Sequence, residues 1–148
     1  MFKRLFSIVI IGLLVIGCAK QSQKTITEEP MFSFEKTACM GACPVFTFLL
    51  YEDGRATYEG KRNVKYIGSF EKKLSDQQLK SFIELLISSD ISQYEDSYRG
   101  NATDLPTTKI YYYNNGSPKH ITDYYGAPES LKQTEKKLSD LINTIEWQ

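Results

Sequence analysis

Two cysteines separated by three residues are the most distinctive chemical feature of the sequence, within Cys39-Met40-Gly41-Ala42-Cys43-Pro44. In an extended chain these thiols are too far apart to bond, so the segment must curl to bring their Cα atoms within about 7 Å. Gly41 permits that curl. A structural disulfide is our first interpretation, and loop entropy gives so small a ring only about 2 kcal/mol of stabilisation. We therefore expect it to fix a local turn.

The same cysteine pair is compatible with two other chemistries. A redox-active pair requires a thiolate of low pKa, and such thiols usually lie at a helix N-terminus, whereas this segment opens a strand and is not Cys-x-x-Cys. Soft-metal binding would use both thiolates with Met31 and Met40 as further sulfur ligands for Cu(I). Two cysteines alone do not close a zinc site. We predict no metal and no cofactor, with redox and copper chemistry as the alternatives.

His120 is the only histidine, so any Ser-His-Asp or Cys-His mechanism must be built around it. Asp123, three residues later in a predicted strand, points to the opposite face and is a poor orienting partner. Asp53 and Asp104 are typical of turns rather than of paired catalytic carboxylates. The sequence has no phosphate loop, metalloprotease helix or calcium loop. We predict that the protein is not an enzyme and that His120 faces solvent.

Tyrosines occur in two clusters, Tyr111-Tyr112-Tyr113 and Tyr124-Tyr125, on the two strands of a predicted hairpin. Alternation places aromatic rings on both faces of that hairpin, and one of these faces must belong to the core. The other face could form a tyrosine patch suited to ligand or protein recognition. Sheet packing with partial exposure is the simpler interpretation, and we favour it.

The N-terminal residues have the pattern of a bacterial lipoprotein signal. Lys3 and Arg4 precede an apolar run from Leu5 to Ile16, which matches the hydrophobic region of a signal peptide and is too short to span a bilayer comfortably. The run ends in Val15-Ile16-Gly17-Cys18, which resembles the lipobox. We predict that residues 1–17 form the signal peptide and that Cys18 becomes the lipid-modified first residue. A secretory signal or membrane anchor that happens to contain a cysteine is the alternative.

The residues after the lipobox predict where the protein is anchored. Residues 18–30 are polar and without apolar periodicity, which is typical of a flexible tether, and we place a single folded domain at 31–148. Ala19 stands where lipoprotein sorting rules in enteric bacteria would require Asp for retention at the inner membrane. We therefore expect a lipid anchor in the outer membrane and a domain that faces the periplasm. That oxidising compartment favours a disulfide.

Length and charge narrow the classes of function. Cleavage after residue 17 would leave 131 of the 148 residues, which suits one domain with a real core. The 18 Lys and Arg residues balance 18 Asp and Glu residues, and loss of Lys3 and Arg4 leaves a net charge of −2. This near-neutral charge argues against nucleic-acid binding.

Hydrophobic alternation and turn residues predict four strands in the first half of the domain, at 31–36, 45–52, 55–59 and 64–70. Asp53-Gly54 predicts a type I′ turn between the second and third strands. Ser75 and Gln78 form a capping box ahead of apolar positions at helical spacing, which end near Ser88.

A second hairpin and a last helix complete the predicted domain. Asn115-Gly116 joins strands at 107–113 and 119–124, and Pro128 suits the first turn of the final helix. The segment between Ser88 and Pro106 is polar and has no clear periodicity. The predicted order is ββββ-α-ββ-α, an α+β domain with two helices packed on an antiparallel sheet.

Several motifs taken together look like a known bacterial family. They are Cys39-x-Gly41-x-Cys43-Pro44-x-Phe46, Asp53-Gly54 with Tyr58 and Gly60, Asp104-Leu105-Pro106, and Lys119 before a β segment and a final helix. The chain resembles the domain-of-unknown-function family marked by Cys-x-Gly-x-Cys-Pro in lipoproteins and other envelope proteins of Bacteroidota, over about residues 31–145. Phe46 stands where the family pattern has Tyr. The resemblance implies the compartment and the fold, and it implies no established activity.

We therefore expect a membrane-tethered, periplasm-facing binding or assembly module without enzymatic activity, whose partner is another envelope protein. The alternative is a thiol-redox or Cu(I)-handling lipoprotein that uses Cys39 and Cys43. A hydrolase built on His120 has little support in the sequence.

Overall fold

The computed structural model describes residues 29–114 and 116–148. The predicted signal peptide, the predicted lipidation site Cys18 and most of the predicted tether lie outside these residues, as does Asn115 of the second predicted turn. The described residues form one sheet, two α-helices and a short 3-10 helix.

The elements follow one another along the chain as strands, a helix, further strands and a final helix. They are β1 (Phe32–Lys36), β2 (Val45–Leu50), β3 (Arg55–Arg62), β4 (Gly68–Lys73), α1 (Asp76–Ser88), a 3-10 helix (Ile91–Gln93), β5 (Ser97–Tyr98), β6 (Thr108–Asn114), β7 (Ser117–Asp123) and α2 (Glu129–Asn143). The strands form a sheet of order β4-β3-β2-β1-β6-β7-β5, in which only the β5–β7 pair is parallel. The predicted α+β class is confirmed, and the order ββββ-α-ββ-α is wrong because it omits β5.

Both helices pack on one face of the sheet, which we call the inner face. Phe32 and Phe48 point to this face from neighbouring strands, and each lies against Phe82 of α1, with ring centroids 6.4 and 5.2 Å apart. After α2 ends, Trp147 stacks on Tyr58 at 5.1 Å. Strand alternation then leaves the opposite side, the outer face, to polar and half-buried residues. No helix of the described residues packs on that outer face.

The first helix begins where the capping box predicts. The Ser75 hydroxyl accepts a hydrogen bond from the Gln78 backbone N–H, and the Gln78 side chain accepts one from the Ser75 backbone N–H. Two otherwise unsatisfied donors of the first turn are thereby paired. The helix ends at Ser88, as predicted, and it buries Phe82 and Leu86 against the sheet.

The hairpin between β2 and β3 is confirmed, but its turn is not of type I′. Tyr51 and Arg55 close a loop of three residues, and Gly54 donates to the Tyr51 carbonyl at 2.9 Å. A type I′ turn needs positive φ at both central residues. Here only Gly54 has one, at 81°, while Asp53 does not.

The fourth strand was predicted too early in the chain. β3 runs on to Arg62, and β4 starts only at Gly68, so Val64 and Tyr66 lie in the connection instead. Gly60 explains the difference, because a Cβ atom there would lie 1.9 Å from the Tyr66 carbonyl oxygen. The missing side chain lets the connection fold back onto β3.

The polar segment between α1 and β6 is more ordered than its composition predicts. Ile91 and Tyr94 are buried and anchor it to the core. Thr122 donates to the Asp96 carbonyl at 2.9 Å, and Ser97 and Tyr98 then pair with the end of β7 as β5. Ile91 and Tyr94 therefore hold the segment between α1 and β6 against the core, although its sequence has no regular periodicity.

Candidate functional site

Cys39 and Cys43 are joined by a disulfide in the connection between β1 and β2, with Cα atoms 5.8 Å apart. The Met40 N–H donates to the Asp104 carbonyl at 3.3 Å, and the Asn63 side chain donates to the Cys43 carbonyl at 3.0 Å. Gly41 is not required for the curl: it has no positive φ, and an added Cβ would meet only the Cys39 sulfur at 3.8 Å. The turn is therefore fixed by the disulfide and by contacts to two other connections.

The sulfur ligands proposed for copper do not come together. Met31 precedes β1 and the cysteines follow it, so the length of the strand, about 17 Å at 3.3 Å per residue, separates them. Met40 is 83% exposed beside the disulfide. Within residues 29–114 and 116–148, no group of three or more His, Cys, Asp or Glu side chains is arranged to hold a metal ion.

The outer face carries a trough of about 740 Å³ across β1, β2, β6 and β7. On its floor the rings of Tyr111 and His120 lie 4.8 Å apart, and Glu35 pairs with Lys109 at 3.3 Å. Leu49 adds apolar surface to the lining of the trough. The trough therefore combines aromatic and apolar surface with the paired charges of Glu35 and Lys109.

The trough continues towards the other edge of the sheet. A second depression of about 370 Å³ lies over β2, β3 and β4, and Thr47 and Leu49 line both depressions. Together they cross six strands from β7 to β4. At about 4.8 Å between neighbouring strands this distance is about 24 Å, the length of roughly seven extended residues.

The tyrosines divide between the two faces as alternation predicts. Tyr112 packs against the inner core, whereas Tyr111 lies on the outer face next to Tyr113, which is 42% exposed. Tyr125 is 52% exposed but belongs to the connection after β7 and does not line the trough. This agrees with the sheet packing and partial exposure that we favoured: Tyr111 is half-buried, Tyr113 is exposed, and together with His120 they give the outer face aromatic surface.

His120 is exposed on the outer face, as predicted. Asp123 is buried on the inner face and pairs with Lys132 of α2 at 2.5 Å, so it does not orient His120. Asp53 is a turn residue as predicted: its carboxylate accepts the Arg55 N–H at 2.9 Å, and this bond lowers the pKa of Asp53. Asp104 has a φ of 66°, which suits a turn.

A buried row of polar side chains is the feature that sequence reasoning missed. Lys36, Thr108 and Asp123 are register partners across β1, β6 and β7, and all three face inward. The Lys36 ammonium donates to the Thr108 hydroxyl at 2.9 Å, and that hydroxyl donates to Glu135 of α2 at 3.1 Å. We call these four residues together with Lys132 the buried polar row.

Burial controls the protonation of this row. It raises the pKa of Glu135 from 4.5 to about 7, against the attraction of Lys36, whose nitrogen lies 3.8 Å away. Burial likewise lowers the pKa of Lys36. Among the described residues, Asp123 Oδ1 and Glu135 Oε1 have no hydrogen-bond partner. A carboxyl that titrates near neutral pH is thus placed beside a hydroxyl and an ammonium, but Thr108 and Glu135 are at most 5% exposed, so no substrate reaches them.

The sequence did contain a signal for this row. Lys36 continues the inward alternation of Phe32 and Phe34, and Glu135 stands between Leu131 and Leu138 on the apolar stripe of α2. A charged residue at a position that periodicity assigns to the core predicts a buried, paired charge.

These features define an α+β domain with a one-sided sheet, a disulfide loop at one end and an open, aromatic-lined outer face. Among the described residues no helix is both long and apolar enough to cross a bilayer. The chain belongs to the family described as domain of unknown function DUF6438, which matches residues 30–142. No curated protein matches the chain.

Proposed function

We propose that this protein is a lipid-anchored envelope protein, of the Bacteroidota type that its sequence resembles, which binds an extended segment of another envelope protein and catalyses no reaction. The observation that carries the proposal is the outer face, which the helices leave uncovered and which forms a continuous trough.

The composition of the trough supports a polypeptide partner. Tyrosine is enriched in the buried centres of protein interfaces because it offers a large rigid ring and a hydroxyl at low entropic cost. Tyr111 provides such a ring in the trough, Tyr113 follows it two residues later on the same face of β6, and Leu49 lines both depressions. Thr47 and Thr122 add hydroxyls that can bond to a peptide backbone.

The charges of the trough favour a neutral or weakly basic segment. Glu29 and Glu35 face one ammonium, that of Lys109, which already pairs with Glu35. Burial and the neighbouring Glu29 carboxylate raise the pKa of Tyr111, so its ring stays uncharged. A slightly acidic surface of this kind repels anionic lipid headgroups and nucleic acids.

The position of residues 29 and 30 beside the trough supports a partner that lies in the envelope. Glu29 and Pro30 line the trough, so the chain enters the domain beside it. With a lipid at Cys18, ten residues lie between the anchor and Glu29, and the eleven Cα–Cα steps can span at most about 40 Å. The trough would then remain close to the membrane surface, within reach of proteins held there.

The two edges of the sheet are less suited to binding an extended segment than the outer face is. β4 presents Glu71, Lys72 and Lys73 at one edge, and charged residues of this kind oppose pairing with another strand. At the other end of the sheet the edge strand β5 has two residues, and the part of β7 that it does not cover contains Pro118, which lacks a backbone donor, and Lys119, which pairs with Asp96 at 2.6 Å. These features favour recognition by the trough over strand addition.

A pair of matched crosslinking positions tests the proposal. A photo-reactive phenylalanine replaces either Tyr113, 42% exposed at the outer face, or Tyr125, 52% exposed away from it. In cells that produce the native chain, we expect one distinct envelope polypeptide to be captured from position 113 and not from position 125. Adding Tyr111→Ala and His120→Ala removes the ring pair and should reduce that capture at least tenfold.

Three results would contradict the proposal. They are equal capture from both positions, capture that survives removal of the ring pair, and capture of a second copy of this chain. The last result would make the outer face a self-association surface.

The thiol-redox and Cu(I) alternative has weaker support. The disulfide is half-buried, its loop is held by Asp104 and Asn63, and Met31 lies at the opposite end of β1. A ring fixed in this way suits a structural bond better than one that opens and closes during turnover.

A further inference from the structure

We infer that the outer trough recognises a proline-rich segment in the polyproline II conformation. This inference rests on the function proposed above, because it specifies the kind of polypeptide that the trough binds. Polyproline II is a left-handed helix of three residues per turn without internal hydrogen bonds, and proline-rich sequences adopt it before they bind. The hydrogen bonds of the trough floor, the donors along its lining and its aromatic rings all favour such a segment.

The backbone of the trough floor is already used for hydrogen bonds within the sheet. β1 pairs with β2 on one side and with β6 on the other, and β6 pairs with β7 along all seven of its residues. The backbone N–H and C=O groups of β1 and β6 therefore bond to neighbouring strands. A segment that lies on this face bonds to side chains instead, so it does not gain the regular backbone pairing that an added strand gains at a sheet edge.

The side chains that line the trough offer more hydrogen-bond donors than carboxylate acceptors. Hydroxyl or N–H donors are carried by Ser33, Thr47, Lys109, Tyr111, His120 and Thr122. Carboxylates are carried by Glu29 and Glu35, and that of Glu35 already accepts from Lys109 at 3.3 Å. A backbone N–H turned towards this lining would need an acceptor to offset its lost hydration. Proline has no backbone N–H but keeps its carbonyl oxygen, so a proline-rich segment matches the donors without that cost.

Aromatic rings give the trough a surface on which proline rings can pack. The rings of Tyr111 and His120 lie 4.8 Å apart with their planes at 53°. Both are accessible, since Tyr111 is half-buried and His120 is exposed. Two residues further along β6, Tyr113 lies opposite Pro118, which also lines the trough. The outer face thus already places a proline opposite a tyrosine, and aromatic-lined grooves are the surfaces on which proline-rich segments dock.

The dimensions of the trough fit a short segment of this kind. It extends over β2, β1, β6 and β7, which is three strand spacings or about 14 Å. At about 3.1 Å per residue, roughly four to five residues in polyproline II span that distance. Such a segment is stiff before it binds, so it loses less conformational entropy than a flexible chain of the same length.

Two uncharged peptides of equal length test the inference on the full chain in detergent. Acetyl-hexaproline-amide is the probe, and acetyl-(Ser-Ala)3-amide, which has a backbone N–H at every residue, is the control. The imidazole signals of His120, the only histidine of the chain, report contact with the trough by NMR. We expect hexaproline to shift these signals until they saturate, and the Ser-Ala peptide to bind at least tenfold more weakly.

Two pairs of variants locate the contact. Tyr111→Ala removes a ring of the trough and should weaken hexaproline binding at least tenfold, whereas Tyr125→Ala removes an exposed ring outside it and should leave binding unchanged. Thr47→Val keeps the shape of the side chain and removes a donor, so it should weaken binding about threefold. Thr57→Val makes the same change in the second depression and should have no effect. If Tyr111→Ala does not fold, the threonine pair decides.

The inference is overturned if hexaproline leaves the His120 signals unchanged, if the Ser-Ala peptide binds as tightly, or if both members of a variant pair bind hexaproline equally. Photo-crosslinking from position 113 does not depend on the kind of segment bound. Capture of a partner there without any preference for hexaproline would overturn the proline preference alone, whereas absence of capture would overturn the proposed function.

Discussion

Replacing Glu135 by Gln tests whether burial controls the charge of the buried polar row. Gln keeps the size of the side chain and an oxygen that accepts from Thr108, but it does not titrate. In the folded protein burial raises the pKa of Glu135 from 4.5 to about 7. The change from Glu to Gln therefore removes one proton-binding equilibrium and little packing.

The sign of the effect follows from which state binds the proton more tightly. Between pH 4.5 and about 7 the folded protein keeps a proton on Glu135 that the unfolded chain has released. The free energy of unfolding therefore falls as pH rises through this window and remains lower above it. A rise in pKa from 4.5 to about 7 corresponds to about 3 kcal/mol. Glu135→Gln should match the wild type near pH 4 and exceed it by up to about 3 kcal/mol at pH 8.

Urea unfolding followed by Trp147 fluorescence, repeated at several pH values, measures this difference. Comparing variant with wild type at each pH cancels the contribution of the other carboxyl groups. Glu84→Gln is the matched control, since Glu84 is exposed on α1 and pairs with Lys80 at 3.6 Å, a contact of the kind that contributes less than about 1 kcal/mol. If Glu135→Gln is instead less stable than the wild type at pH 8, attraction to Lys36 outweighs burial and our reasoning fails.

Three further predictions concern the anchor, the domain and the disulfide. Cys18→Ser should abolish incorporation of labelled palmitate and leave the precursor uncleaved, and labelling of that variant would refute the lipobox assignment. The fragment from Met31 should unfold cooperatively on heating, because the sheet, both helices and the core lie within it; a broad, non-cooperative transition would show that the preceding residues belong to the fold. Replacing Cys39 and Cys43 by Ser should lower the unfolding free energy by about 2 kcal/mol while circular dichroism stays unchanged. A reduction potential near or above about −200 mV, in the range of oxidoreductases, would instead make the pair an active site.

Local signals predicted much of the fold. The capping box at Ser75, the hairpin at Gly54 and the alternation of Phe46 and Phe48 each depend on a few neighbouring residues, and each appears in the structure. The α+β class followed from their order. Such features can be predicted from the sequence because the residues that determine them lie within one helical turn, one hairpin turn or one strand.

Features that depend on distant contacts were missed. β5 has two residues and pairs in parallel with β7, so nothing in its own composition marks it as a strand. The position of β4 depends on Gly60, whose missing side chain admits a connection that comes later in the chain. Similarly, the trough arises where β1 and β6 meet, 72 or more residues apart in sequence.

The functional surfaces were predicted only in part. Alternation predicted tyrosines on both faces of the second hairpin and a solvent-facing His120, but the contact of Tyr111 with His120 at 4.8 Å depends on the register of β6 and β7.

The position of β1 in the sheet determines how the domain bears mechanical load. The strand that follows Glu29 is paired along all five residues with β2 on one side and with β6 on the other, both antiparallel. Tension applied to the chain ahead of Glu29 enters the sheet along β1 and loads both hydrogen-bonded ladders at once, in shear. Rupture then requires the bonds of both ladders to break together, whereas an edge strand pulled in the same direction would be held by one ladder. When the domain is pulled from this end with a partner held on its outer face, its resistance to force should therefore come from the two ladders of β1 and not from the small disulfide ring.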